Sequence, residues 1–142
     1  MVETKTIIDK LRFSSLRPTK QRISISKILF ESDKTFHFTI DGLKKIIEEK
    51  NHKKISLATI YNTVRALKKK GYLKEIPLDG NKTYYDTNVA THHHFFDEDA
   101  QTLSDIDEND VQVIRVPESP QNKKVKSVEV LIRVASDNQS HK

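Results

Sequence analysis

The sequence predicts an α+β protein built in two parts. Three observations carry that prediction. Apolar residues recur at helical spacing up to Gly71, and beyond it they alternate at strand spacing. The charge also changes sign near residue 90. Residues 1–90 hold 19 Lys and Arg against 10 Asp and Glu, whereas residues 91–142 hold 6 against 10. A chain of 142 residues is long enough for one ordinary domain or for two small ones that share a surface.

The first part reads as a run of helices. Residues 4–12 carry Ile7, Ile8 and Leu11 on one side. Leu16-Arg17-Pro18-Thr19 breaks the period, and Pro18 suits the first turn of a second helix, where its missing N–H costs nothing. That helix runs to about Phe30, with Ile25, Ile28 and Leu29 apolar. Thr39 is placed to cap a third helix, lined by Leu43, Ile46 and Ile47. Asn51 to Ile55 reads as a polar turn. Ser56 then caps a fourth helix with Leu57, Ile60, Tyr61, Val64 and Leu67 on its apolar side. Lys68, Lys69 and Lys70 suit the negative end of the helix dipole, and Gly71 supplies a left-handed stop.

Leu73–Leu78 and Lys82–Tyr85 are strand-like, and Asp79-Gly80-Asn81 between them is a hairpin signal. Three or four helices followed by a hairpin is the order of a winged helix-turn-helix. In that fold the fourth helix enters the DNA major groove and the hairpin contacts the backbone.

The second part reads as β. Val111, Val113 and Val116 suggest one strand, and Val128, Val130, Ile132 and Val134 a better one, joined through Pro117-Glu118-Ser119-Pro120. About 45 residues with few aromatics bury too little to stand alone, and a second copy is the simplest cover. The expected division is therefore 1–88, a winged-helix DNA-binding domain with hinge, and 89–142, a small α/β, mainly antiparallel β, dimerisation domain. The tail from Ser136 is polar.

Cysteine is absent, which excludes disulfides, thiolate zinc sites, iron–sulfur clusters and cysteine nucleophiles. There is no run of eighteen apolar residues and no apolar signal segment at the N-terminus, so a cytoplasmic location away from membranes is expected. The basic first part suggests a polyanionic partner. On the fourth helix Thr59, Asn62, Arg65, Lys68 and Lys69 face outward or to the flanks. Asn and Arg read adenine and guanine edges, and Thr meets thymine methyls. A merely solvated helix face is the alternative. Tyr61 fits either the apolar side or this outward set. Arg17, ahead of the second helix, is a candidate for a backbone or minor-groove contact.

Thr91-His92-His93-His94-Phe95-Phe96 is the second constellation. On a strand His92 and His94 share a side, about 6–7 Å apart, and His93 faces away. Two imidazoles at that distance can reach one metal ion. Asp86 lies six residues before His92 and Asp105 thirteen after it. Asp97-Glu98-Asp99 can equally be a solvated turn.

Taken together, Leu16 to Arg22, His37-Phe38-Thr39, Ser56 to Thr63, and Tyr85-Asp86 with His92-His93-His94 resemble the ferric uptake regulator family. The likeness runs from about residue 10 to 106, in order and with the expected gaps. It implies a homodimeric, metal-responsive transcription factor, a repressor or activator on pseudo-palindromic duplex DNA. It places a regulatory metal site on His37, Asp86, His92, His94 and Asp105, a nitrogen and oxygen set suited to Fe(II), Mn(II) or Zn(II). It places Tyr61 in the base-reading motif beside Arg65. Many members also hold a structural zinc on two Cys-x-x-Cys pairs. The first pair would fall at Asp97 and Ala100, so that four-cysteine structural zinc site is absent here. The histidine-rich run without cysteines is similar to the iron response regulators of alphaproteobacteria. That branch implies control of iron and haem homeostasis genes. It also implies haem sensing through His92, His93 and His94, with haem or a haem-delivering protein as partner. The N-terminal Cys-Pro haem motif of some members is missing.

Two other classes stay open on the residues alone. A metalloenzyme would need an activated water and a general base in a cleft, and no glycine-rich loop or nucleophile motif accompanies the cluster. A metal-storage protein with an incidental basic face is the other. The residues favour a regulator, and no enzyme is expected.

Overall fold

The computed structural model describes residues 4–32, 34–78 and 82–137. The chain divides into two compact units, Met1–Val89 and Ala90–Lys142.

The first unit contains α1 (Thr4–Phe13), α2 (Lys20–Phe30), β1 (His37–Phe38), α3 (Ile40–Asn51), α4 (Leu57–Lys69), β2 (Lys74–Pro77) and β3 (Thr83–Asp86). Each of the last three helices opens on a hydroxyl cap. Thr19, Thr39 and Ser56 accept from the N–H groups of Arg22, Gly42 and Thr59. Thr19 as cap moves Pro18 out of the expected first turn to the position before it. There the ring keeps Arg17 away from helical conformation and fixes the entry to α2. Helix α4 ends as expected. Gly71 takes φ +86°, its N–H reaches Lys68 O at 2.9 Å, and the Tyr72 N–H reaches Leu67 O at 3.0 Å. These two bonds close a Schellman motif, which needs a residue at positive φ.

The core of this unit joins Ile25 and Leu29 of α2, Leu43 and Ile47 of α3, and Ile60, Val64 and Leu67 of α4. Leu57 departs from expectation, at 46% exposed. It sits at the first position of α4, beyond the helices that cover the rest. Ile55, just ahead of the cap, fills the core instead. Thr63 joins the buried stripe because its hydroxyl donates to Thr59 O at 2.8 Å, so burial leaves no orphan polar group.

Strands β2 and β3 pair antiparallel, with Pro77 opposite Thr83. The Asp79-Gly80-Asn81 turn lies outside the described residues. β1 adds to the other edge of β3, giving the order β1-β3-β2. Asp86 therefore lies on the central strand, opposite His37 on one side and Lys74 on the other.

The second unit contains β4 (His93–Asp97), β5 (Thr102–Ile106), a 3-10 turn at Glu108–Asp110 and β6 (Leu131–Val134), in the order β5-β4-β6. Three expectations change here. Val111, Val113 and Val116 form no strand, and no ladder partner stands beside them among the described residues. The alternating run from Val128 pairs only from Leu131. Finally, β6 runs parallel to β4, not antiparallel. A hairpin joins β4 to β5, and the chain then crosses to the far edge of β4 through residues 107–130. That length suits a parallel crossover.

Candidate metal centre and nucleic-acid face

In the first unit the sheet brings His37 and Asp86 together. His37 Nε2 lies 3.2 Å from Asp86 Oδ2, and the Asp86 side chain is 1% exposed. The other oxygen, Oδ1, accepts the Asn88 N–H at 2.8 Å. The strand ends are held in place by two bonds: the Phe36 N–H to Thr87 Oγ1 at 3.0 Å, and the Thr87 N–H to Phe36 O at 3.2 Å. Phe38 stacks on Tyr85, the next register pair, with ring centroids 5.6 Å apart. On the far side of Asp86, burial pulls the Lys74 ammonium below its ordinary pKa, and the Asp86 carboxylate opposes that shift.

In the second unit His92, His94 and Asp105 converge. Asp105 Oδ1 lies 3.2 Å from His92 Nε2 and 3.3 Å from His94 Nε2, and the two rings are 4.3 Å apart. His94 stands opposite Asp105 in the β4–β5 ladder. His92 lies one residue before β4, not on it, and is placed by its own contact: its Nδ1 is 2.6 Å from Ala90 O. A carbonyl only accepts, so the ring proton sits on Nδ1. Nε2 is then the ring atom that faces the Asp105 carboxylate. An imidazole nitrogen and a carboxylate oxygen brought to 3.2 Å are donor atoms that a proton or a metal ion can join.

His93 has a different task. It faces away from the other two, and its Nδ1 accepts the Val130 N–H at 2.8 Å, joining β4 to the approach to β6. Nothing in the triplet HHH signals that bond, because its partner lies 37 residues on. Asp97 closes β4, and Glu98-Asp99 open the turn after it: Asp97 Oδ1 accepts from the Asp99 and Ala100 N–H groups at 2.9 and 3.0 Å. All five anticipated metal residues are thus placed in two sets, two in the first unit and three in the second. They are imidazoles and carboxylates throughout, and the chain offers no thiolate.

The anticipated DNA-contacting residues lie in the first unit. Asn62 and Arg65 are exposed on α4, and Thr59 is half-buried, with its hydroxyl 2.8 Å from Ser56 Oγ. Tyr61 is 48% exposed and lies outside the core cluster, so of its two readings the outward one holds. Lys68 is tied to Glu75 at 3.0 Å, an exposed pair worth little energy. Arg17 is exposed ahead of α2, and its carbonyl accepts from Arg22 Nη1 at 3.1 Å.

The sequence profile of the ferric uptake regulator family matches residues 14–134. A peroxide-responsive repressor, PerR, of Staphylococcus saprophyticus is 33% identical over 98 residues, which cover 69% of this chain and 64% of that protein. The chain thus spans just under two thirds of that relative's length. Among solved structures, the ferric uptake regulator of Pseudomonas aeruginosa with manganese superposes with a TM-score of 0.67 at 15% identity, covering 92% of this chain and 98% of that one. The Helicobacter pylori ferric uptake regulator superposes at 0.66 and 15% identity, covering 98% and 95%. At such identity the superpositions establish the fold.

Proposed function

The chain belongs to the ferric uptake regulator family, and from that premise we propose that it is a metal-responsive transcriptional regulator binding pseudo-palindromic DNA as a homodimer. In this reading residues 1–88 bind DNA, and 89–142 dimerise and sense. One Fe(II), Mn(II) or Zn(II) ion is held by His37, Asp86, His92, His94 and Asp105. The observation that carries this reading is His92, whose Nδ1 is committed to Ala90 O while its Nε2 faces a carboxylate. Sharing that one ion fixes the angle between DNA-binding and dimerising units, and with it the spacing of the two reading helices. Arg17, Thr59, Tyr61, Asn62 and Arg65 make the DNA contacts.

Dimerisation is supported by the second sheet. Phe95 and Ile132 are register partners on one face, both exposed, and among the described residues β6 pairs with β4 alone. An open edge and an uncovered apolar face suit a second copy.

The signal is iron, directly or as haem taken up by His92, His93 and His94, in line with the likeness to iron response regulators. Haem would have to compete with the Asp105 and Val130 contacts of those rings. A second reading, peroxide response, is favoured by the 33% identical peroxide-responsive repressor. It expects peroxide to release DNA from the Fe(II) protein and not from the Zn(II) protein, because zinc has no accessible redox change.

The test is DNA binding by metal-free protein, then with each metal and with haem, on duplexes enriched from a random pool. Metal should tighten binding, and His92→Ala/His94→Ala should remove that response. Equal affinity with and without every metal would refute metal control. Continued release by haem after loss of all three histidines would remove haem sensing from this run.

A further inference from the structure

A groove between α2 and α3 is lined with lysine and lies outside the face assigned to base reading. Two cavities, of about 500 and 490 Å³, open on it and share Ser24 and Asn51. Lys20 and Lys27 come from α2, Lys50 from the end of α3, and Lys53 and Lys54 from the turn leading to the α4 cap. Glu31 is the single acid on its walls. None of the five lysines forms an ion pair with a carboxylate among the described residues. Ile47 and Ile55 on the wall belong to the core, so the charges stand over a low-dielectric backing that strengthens their field.

The helix dipole accounts for Lys27 and Lys50, each in a last turn, but not for Lys53 and Lys54 in the turn or for Lys20 at the first position of α2, where it is unfavourable. Like charges gathered along one groove repel, and the Glu48 carboxylate, which feels Lys54, is already held by Lys44 and the Ile55 N–H. Lys20 and Lys27 are seven residues apart on one helix, about 10.5 Å along its axis. That is a span over which a duplex presents several phosphates. The groove is also continuous with the start of α4, since Lys53 and Lys54 lie within three residues of the Ser56 cap.

We propose that this groove holds the phosphate backbone of duplex DNA just outside the half-site read by α4. The claim rests on the DNA-binding reading above and adds a second contact surface to it. It contributes affinity and salt sensitivity and no base preference, because lysines on phosphates position a duplex without reading it.

The test uses the full chain and two duplexes with the same core, one ending at the half-sites and one extended by about one helical turn on each side. The triple variant Lys27→Gln/Lys50→Gln/Lys53→Gln is compared with the wild type across a salt series, its fold checked by circular dichroism. On the extended duplex the wild-type plot of log affinity against log salt should be steeper than the variant's by about 2–3, roughly 0.9 for each lost phosphate contact. Affinity near 0.1 M salt should fall about 10- to 100-fold, with the ranking of sequences unchanged. On the short duplex the two proteins should match. Identical slopes on the extended duplex overturn the proposal and leave the DNA-binding reading standing. Equal weakening on both duplexes also overturns it, since the lysines would then act as general charge. A wild type that binds neither duplex removes the DNA-binding reading and this inference with it.

Discussion

Lys74→Met should tighten metal binding at the proposed centre. Asp86 is buried on the central strand, with His37 opposite it on one side and Lys74 on the other. Opposed residues in a sheet share a face with Cβ atoms about 5 Å apart, and the Asp86 carboxylate acts on the Lys74 ammonium, so a separation of about 6 Å is taken for the ammonium and a cation on Asp86. At an effective dielectric near 20, unit charges at about 6 Å interact by roughly 3 kcal/mol. Lys74 is half-buried, and solvent screens part of this, leaving about 1–2 kcal/mol. The ammonium also holds the carboxylate when no metal is bound, so the two states compete for Asp86. Methionine keeps the length and the apolar stem and removes the charge. Affinity for Mn(II) or Zn(II), read by competition with a fluorescent chelator, should rise about 5- to 30-fold. Lys74→Arg should stay near the wild type. An unchanged or weaker affinity in Lys74→Met would refute the argument that this cation opposes the metal.

His93→Ala should keep metal affinity, because the ring faces away from the other two. It should lower unfolding stability by about 1 kcal/mol through loss of the Val130 bond, measured by urea titration. Loss of metal binding in that variant would contradict the division of roles. Arg65→Ala should relax sequence preference and cost about 1–3 kcal/mol of operator binding, whereas Arg17→Ala should weaken all sequences alike. A selection experiment giving the wild-type preference from Arg65→Ala would displace α4 as the reader. Glu48 accepts from the Lys44 ammonium and the Ile55 N–H, and these hold its carboxyl below the ordinary range. A lowered folded-state pKa stabilises above the unfolded value and is lost as pH falls through the folded one. Glu48→Gln should therefore narrow its stability gap to the wild type in acid, and a gap independent of pH would exclude the carboxylate as its source.

Helices α3 and α4 were legible because each carries its own punctuation. Thr39, Ser56 and Gly71 cap or stop the chain by local chemistry, and the structure places all three in those roles. Leu57 was misread because helical spacing says which side a residue faces, not whether a neighbour covers that end. The second unit was least legible. Val111, Val113 and Val116 alternate as a strand should, yet alternation needs a partner ladder, and none pairs with them among the described residues. The parallel course of β6 depends on where residues 107–130 cross, which no local pattern encodes. The residues proposed for the site stand out in the sequence through their motif likeness and their chemistry. The His93–Val130 bond and the Lys74–Asp86 pairing were not, because both depend on register between distant segments.

The arrangement of donors has a consequence for the switch. The first unit offers one imidazole and one carboxylate, the second two imidazoles and one carboxylate. Tetrahedral or higher coordination needs at least four ligands, so neither set suffices without water or the other. A ligand shifts a conformational equilibrium only by its differential affinity for the two states. Under the proposed function, a two-residue set adds that difference: the ion keeps three ligands in every arrangement and gains His37 and Asp86 in one. The coupling therefore resides in the weaker set. Asp86→Asn should leave measurable metal binding through His92, His94 and Asp105 while abolishing the effect of metal on DNA affinity. If Asp86→Asn kept a full metal response on DNA, the second unit would switch alone, and the shared-ion account would fall.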